Sequence, residues 1–417
     1  MDTKETILDI GRKARTAARA VARLDTAAKN ACLSAMADAL EQNAPAIVAA
    51  NLIDMEKGRA AGLSSAMLDR LMLDDKRIAA MAGAIRTLVA LDDPCGRILS
   101  EKTRPNGLRI QKVSVPIGVV GIIYESRPNV TSDAATLCIK AGNSCILRGG
   151  KEALNSNLAI AKALMEGGKK AGLPENAMQV IPITDREAIK DLVRMDQYLD
   201  VIVPRGGHQL IEMILEHSRV PVIKHAHGVC HVYIDRAADL NAAEQIALNA
   251  KCQRPGVCNA METLLVHRDV AADILPRLGA AYAAKNVELR GDEATRKLLP
   301  GALAATEEDW RTEYLDYILS IRVVDTLDAA IEHIATYGSG HSDSIVTADS
   351  GAAERFLREV DSAAVYVNAS TRFTDGGEFG LGAEIGISTD KLHARGPMGL
   401  EELNTYKYVI RGEGQIR

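Results

Sequence analysis

Apolar residues fall at three- and four-residue spacing from the start of the chain to about residue 92, the period of an α-helix. Leu33, Met36, Ala37 and Leu40 share one helical face, and Asp25 stands where an N-cap belongs. Ile78, Met81, Ala82, Ile85 and Val89 repeat the pattern after Asp74 and Asp75, two candidate caps. Ala14 to Ala22 is Ala-rich and basic through Arg15 and Arg19, which reads as a solvated helix face. Asp93-Pro94-Cys95-Gly96 then breaks the pattern, and Leu108 to Val113 alternates apolar and polar as a half-exposed strand does. From Val119 to Tyr124 the chain is continuously apolar, the mark of a strand buried on both faces.

Strands are expected next at Cys145–Leu147, Gln179–Ile183, Leu199–Val203, Pro221–Ile223 and His231–Ile234. Helix patterns at Asp133–Lys140, Asn157–Glu166, Glu187–Met195 and Ala242–Leu248 lie among them. The alternation resumes with Thr263–Val266, Ala271–Ala284, Leu319–Val324, Leu327–Ile334, Ser344–Thr347, Ala352–Val360 and Ala364–Val367. Strand–helix alternation on this scale predicts α/β architecture: two doubly wound, largely parallel domains. The expected divisions are a cofactor-type domain over 1–100 and 116–250 and a second domain over 251–390. A small β arm is expected from 101–115 with 400–417, its tail strand near Thr405 to Ile410.

Composition narrows the function classes. The chain has 417 residues, too many for one core. A net charge of −5 argues against general nucleic-acid binding, and no apolar run approaches a membrane span. Met1-Asp2-Thr3-Lys4-Glu5 opens without a signal-peptide core. The seven cysteines are odd in number and lack CxxC spacing, which suits free thiols in a reducing cytoplasm better than disulfides or a metal site.

Chemistry concentrates in a few loops. Arg254-Pro255-Gly256-Val257-Cys258 joins a helix pattern to a strand pattern. A loop thiol beside a guanidinium and a permissive Gly is how a nucleophilic cysteine is presented; the plain alternative is a small buried hydrophobe. Two glycine loops follow strands, Arg148-Gly149-Gly150-Lys151 and Arg205-Gly206-Gly207. Backbone N–H groups at a helix start beside a basic side chain suit a dinucleotide, though Gly-Gly also makes plain turns.

Long strings then carry a resemblance: Tyr124-Glu125-Ser126-Arg127-Pro128-Asn129-Val130, Gln253-Arg254-Pro255-Gly256-Val257-Cys258-Asn259 and the run from Tyr366 to Gly377. Gly380-Leu381-Gly382-Ala383-Glu384 and His393-Ala394-Arg395-Gly396-Pro397-Met398-Gly399 complete it. In these, and over nearly its whole length, the chain resembles the aldehyde dehydrogenase superfamily. The resemblance implies that fold with an oligomerisation arm, Cys258 as nucleophile and the Asn129 amide as an oxyanion donor. It places Glu313 on the nicotinamide ribose. Where hydrolytic members carry a glutamate base, this chain reads Lys224-His225-Ala226-His227-Gly228. Losing that carboxylate fits an enzyme that exchanges phosphate rather than water. His225 and His227 are open to either a structural or a catalytic part.

The activity so implied is NADPH-dependent reduction of L-glutamyl 5-phosphate to L-glutamate 5-semialdehyde with release of phosphate, in proline biosynthesis. The substrate is anionic at both ends, so Arg127, Arg372 and Arg395 become candidate clamps, with Ser370 and Thr371 as hydroxyl donors. Lys151 occupies the position near the adenosine ribose where NAD-using members place a glutamate, which implies a cation for the 2′-phosphate of NADPH, with Arg148 beside it and Gly149 and Gly150 leaving room. A homo-oligomer and association with glutamate 5-kinase belong to the same reading. The alternatives are a CoA-dependent acylating relative and a non-catalytic oligomeric scaffold of the same fold.

Overall fold

The computed structural model describes residues 3–224 and 227–417. Five helices come first: α1 (Thr3–Val21), α2 (Thr26–Gln42), α3 (Ala44–Ala60), α4 (Ser65–Leu71) and α5 (Asp75–Ala90). The Asp25 side chain accepts from Ala28 N at 2.8 Å and caps α2. At α5 the cap is Asp74, which accepts from Arg77 N at 2.7 Å. Lys29 is buried and donates to Asp93 at 2.6 Å, tying α2 to the break that ends the helical region.

Two strands follow, β1 (Ile98–Thr103) and β2 (Arg109–Pro116), and then the α/β alternation begins. It runs β3 (Val119–Tyr124), α6 (Asn129–Lys140), β4 (Ser144–Arg148), α7 (Leu154–Lys170), β5 (Met178–Val180), α8 (Glu187–Leu192), β6 (Val201–Arg205) and α9 (His208–His217). The four strands form one sheet in the order β5-β4-β3-β6, and every pair is parallel. Parallel strands need helical crossovers, so helices cover the sheet and β3 is buried along its whole length. One face packs Val119, Ile123, Ile146 and Ile202 against Ile7, Ile10, Ala14 and Ala18 of α1. Arg15 on that helix reaches out of the core to Asp200 at 2.7 Å. Pro221–Ile223, expected as a strand, makes only a single parallel bridge, from Val222 to Ile202.

The second sheet uses β7 (Cys230–Ile234), β8 (Met261–His267), β9 (Glu288–Gly291), β10 (Leu303–Ala304), β11 (Ile318–Val324), β12 (Ser342–Val346) and β13 (Ala364–Val367). Its order is β10-β9-β11-β8-β7-β12-β13, again parallel throughout. Its connections are α10 (Leu240–Cys252), α11 (Arg268–Ala283), α12 (Glu293–Leu298), α13 (Leu327–Tyr337) and α14 (Ser350–Glu359). A two-stranded ribbon, β14 (Ile387–Ser388) with β15 (Gly396–Pro397), lies in the same part of the chain. The tail strand β16 (Asn404–Arg411) pairs antiparallel with β2, and β1 pairs with the other side of β2, giving the three-stranded arm.

The chain divides into two compact units. The first holds the chain up to Lys224 with Gly380–Gly386 and Met398–Arg417; the second holds the chain to Phe379 with Ile387–Pro397. The division therefore falls at Lys224, not near residue 250. The reason is hydrogen bonding: β7 pairs with β8 and β12, so it and α10 belong to the second sheet.

Candidate active site

In the first unit the candidate residues gather at the C-terminal ends of neighbouring strands β4, β3 and β6, where open α/β sheets bind ligands. The glycines there have an unexpected use. A Cβ on Gly149 would lie 2.0 Å from Asn157 Nδ2, and one on Gly150 would lie 2.0 Å from Glu152 Oε1. The space a Cβ would need at each of these positions is thus filled by the chain's own amide and carboxylate. Arg148 is buried at the end of β4, where its Nη2 donates to Thr184 O at 3.1 Å. Burial pulls its guanidinium down from its ordinary value, and it is committed to backbone rather than presented outward. Lys151 beside it is exposed.

The loop after β6 behaves alike. Gly207 N, at the start of α9, donates to Glu125 Oε2 at 2.9 Å, and a Cβ on Gly206 would lie 2.8 Å from that oxygen. A carboxylate therefore sits on the anion-binding end of the helix. Arg205, half-buried, closes β6 and lies under Gly386.

Between these loops runs Glu125–Pro128, which opens α6. Ser126 has a φ of 24°, a left-handed backbone uncommon for a residue with a side chain. Glu152 Oε1 accepts from both its N–H and its hydroxyl, each at 2.7 Å. Arg127 and Asn129 are exposed. The Asn129 amide donates to Asp133 Oδ2 at 2.9 Å, one turn along α6. Burial pushes the Asp133 carboxyl up to about 6, against the pull of that hydrogen bond and of Arg205.

In the second unit Cys258 lies in the loop between α10 and β8. Asp239 caps α10, accepting from Asn241 N at 2.8 Å. Both flanks of the loop are tied: Lys251 Nζ and Glu262 Oε2 meet at 2.5 Å with neither side chain exposed. Burial pushes the Glu262 carboxyl up to about 7. Its other oxygen accepts from Leu315 N at 3.3 Å, and Leu315 itself has a φ of 55°. Gly228 carries no side chain because its Cβ would stand 2.6 Å from Cys258 Cα. The Cys230 thiol donates to Cys258 O at 3.2 Å from a buried position, where desolvation raises it well above the ordinary thiol range. Cys258 is only half-buried, a reachable sulfur on a braced backbone.

Asn259 continues the bracing. Its amide donates to Thr374 O at 2.8 Å and Arg372 O at 3.4 Å, and Asn259 O accepts from Thr371 Oγ1 at 2.8 Å. The expected role of the Thr371 hydroxyl changes accordingly. Thr371 is fully buried in this contact, and Ser370 Oγ accepts from Arg372 N at 3.3 Å, so both build the turn that backs Cys258. Arg395 also departs from the clamp reading, because its guanidinium donates to Asp361 Oδ1 and to Asp361 O, both at 2.7 Å. Arg372 remains near the thiol. Its Nε donates to Gln253 Oε1 at 2.9 Å, and burial, then Arg254, lowers its pKa while Cys258 works the other way. Glu313 is partly buried, 4.0 Å from His227 Nδ1. His225 lies outside the described residues.

One of these side chains, Asp133, carries a signal in the sequence. Asp133 stands four residues after Asn129 at helix start, the spacing of a side-chain pair. Glu152, Glu262 and Cys230 had none, since their partners are remote in the chain.

These features define a class. Residues 1–297 match the family model described as "Aldehyde dehydrogenase family", and the chain belongs to that family. Over its full length it is 56% identical to the gamma-glutamyl phosphate reductase of Geotalea daltonii, with all of each chain covered. It is 59% identical to that of Moorella thermoacetica, covering 98% of this chain and 97% of the relative. The crystal structure of gamma-glutamyl phosphate reductase from Thermotoga maritima superposes with a TM-score of 0.97 at 48% identity, covering 99% of each chain. No helix among the described residues is long and apolar enough to cross a membrane.

Proposed function

We propose that the chain catalyses the NADPH-dependent reduction of L-glutamyl 5-phosphate to L-glutamate 5-semialdehyde with release of phosphate, a step of proline biosynthesis. The observation that carries this reading is identity of 56% with a gamma-glutamyl phosphate reductase over all 417 residues, with Cys258 in a loop braced by buried hydrogen bonds and an ion pair. The Cys258 thiolate attacks the acyl carbon, and the C–O bond to phosphate breaks, leaving a thioester. The Asn129 amide, one of its hydrogens held by Asp133, offers the other to the developing oxyanion. Arg372 and Arg127 supply cations for an acyl phosphate with a free carboxylate.

The family implies a nicotinamide cofactor, and the donor set fits one. The α9 start already binds a carboxylate through Gly207 N, and Lys151 is an exposed cation just past the end of β4 in the same sheet. Lys151, Arg205, Gly206 and Gly207 would hold its anionic groups and Glu313 its ribose. When bound it supplies the hydride that converts the thioester to aldehyde. Cys258 then leaves as thiolate and is regenerated. The absence of a carboxylate in the stretch from Lys224 to Gly228 protects the thioester from water activated by a general base.

The arm exposes Ile98, Leu99, Tyr406, Tyr408 and Ile410 on two edge strands, which supports a homo-oligomer joined there. Glutamate 5-kinase, as source of a labile acyl phosphate, is the partner this chemistry favours, and the cytoplasm its place. The CoA-dependent and scaffold readings lack comparable support. The test is alkylation of Cys258 followed by mass spectrometry, with glutamyl phosphate or phosphate slowing it. Near-normal turnover by Cys258→Ala would overturn the proposal.

A further inference from the structure

We infer that Glu152 is a positioning residue for catalysis, which sets the Asn129 amide by holding Ser126 in its strained backbone; this rests on Asn129 being the oxyanion donor. Glu152 belongs to the short turn Lys151–Ala153, directly after the Gly149-Gly150 loop. Its partly buried carboxylate reaches the residue three before Asn129 and takes both the N–H and the hydroxyl of Ser126 on one oxygen. Gly150 is what lets it arrive, since any Cβ there would coincide with the carboxylate.

A φ of 24° at a serine persists only where the surroundings over-determine it. Glu152 supplies that determination on one side of the loop. On the other side, the hydroxyls of Tyr124 and Thr131 meet at 2.6 Å, and Thr131 Oγ1 donates to Asn157 Oδ1 at 3.0 Å. Between these two clamps only Arg127, Pro128, Asn129 and Val130 remain, and Val130 N is bonded to Arg127 O at 3.0 Å. The position of Asn129 therefore follows Ser126. Glu152 is also one residue from Lys151, so the turn proposed for the cofactor's adenosine side also carries the carboxylate that holds the loop before the oxyanion donor.

Although burial works to raise it, the Ser126 contacts hold the Glu152 carboxyl below the usual glutamate range, so it accepts as a carboxylate throughout neutral pH. Losing it leaves Ser126 free to relax and displaces Asn129. A misplacement of this kind costs about 10- to 100-fold in rate, within the roughly 10²–10³ of a whole oxyanion donor.

The experiment measures kcat and the KM for NADP in phosphate-dependent oxidation of the semialdehyde. The proteins are Glu152→Ala, Glu152→Gln, Glu152→Ala with Ser126→Gly, Asn129→Ala and Glu152→Ala with Asn129→Ala. Glu152→Ala should lose kcat about 10- to 100-fold with little change in KM. Glu152→Gln, whose carbonyl can still accept from both donors, should keep most of it. Ser126→Gly should restore about fivefold or more to Glu152→Ala, because glycine takes a positive φ without strain. Glu152→Ala should add little on top of Asn129→Ala, because both remove the same donor. The inference is overturned if Glu152→Ala keeps kcat, if only KM moves, if Ser126→Gly restores nothing, or if the two losses multiply. Loss of folded protein alone would give no selective rescue by Ser126→Gly, and melting temperatures of the same set separate that outcome. If Asn129→Ala is fully active, it is the oxyanion reading that fails, and this inference falls with it.

Discussion

Asn259 gives the sharpest check on how the Cys258 loop is held. It is almost fully buried at 4% exposure, and its amide faces two carbonyl oxygens. Asn259→Ala abandons one good bond at 2.8 Å and one weak one at 3.4 Å, leaving a buried carbonyl unsatisfied. That costs about 2 kcal/mol. Asn259→Asp keeps the shape but puts acceptor against acceptor. The introduced carboxyl escapes by taking a proton, and its O–H then donates to Thr374 O. Keeping an aspartate protonated at about pH 7.5 costs about 1.36 kcal/mol for each pH unit above about 3.9, close to 5 kcal/mol in all. Its folded pKa is raised, so this penalty vanishes at low pH and grows as pH rises; at about pH 5.5 it is only about 2 kcal/mol. The aspartate variant should therefore be less stable than the alanine variant at neutral pH and match it in mild acid. Trp310 is the only tryptophan and is buried in the same compact unit, so its fluorescence in urea titrations reports the transition. Equal stability of the two variants at neutral pH, or a difference between them that does not change with pH, would refute this account of the loop.

Three further outcomes are expected. Asn129→Ala should lower kcat by roughly 10²–10³ with cofactor affinity unchanged, read by steady-state kinetics and by NADPH fluorescence titration; a loss confined to KM would make Asn129 a binding residue only. Lys151→Glu should reduce the preference for NADPH over NADH, measured as the ratio of kcat/KM values; because Lys151 is exposed and screened, the change is about 10-fold, the low end for a charge-assisted contact. Asp93 should contribute stability above about pH 4 that disappears on acidification. Burial works to raise its pKa, but Lys29, the Cys95 N–H and Thr26 outweigh it and hold the carboxyl low, so protonation in acid breaks the contact. Urea midpoints across pH should thus flatten on the acid side in Asp93→Asn, and an unchanged acid limb would count against the ion pair.

The α/β architecture was legible because β3 and the middles of β4, β6, β7 and β8 are buried on both faces and read as short apolar runs. The short strands β9 and β10 carry no such signal, since β9 is only partly buried, β10 is exposed, and they are only four and two residues long. Sequence order places β7 with the first domain, because order along the chain does not reveal which neighbour a strand bonds. In the site, the Cys258 loop announced itself through its glycine, arginine and thiol. What the glycines at 149 and 150 are for did not. A glycine needed for a phosphate and one needed for a neighbouring carboxylate look identical until the carboxylate is seen. The same blindness applies to Arg395 and Thr371, whose partners Asp361 and Asn259 are distant in sequence.

The arm is made of strands from opposite ends of the chain. While the protein is being synthesised, β1 and β2 leave the ribosome early, yet the far side of β2 is closed only by β16. Through synthesis of the whole second unit, β2 therefore presents open backbone donors and acceptors to whatever chain is near. Strand edges of this kind recruit their like. On a polysome, where identical nascent chains lie side by side, the same edge is a hazard for aggregation until β16 arrives. A message truncated before Asn404 would make that hazard permanent.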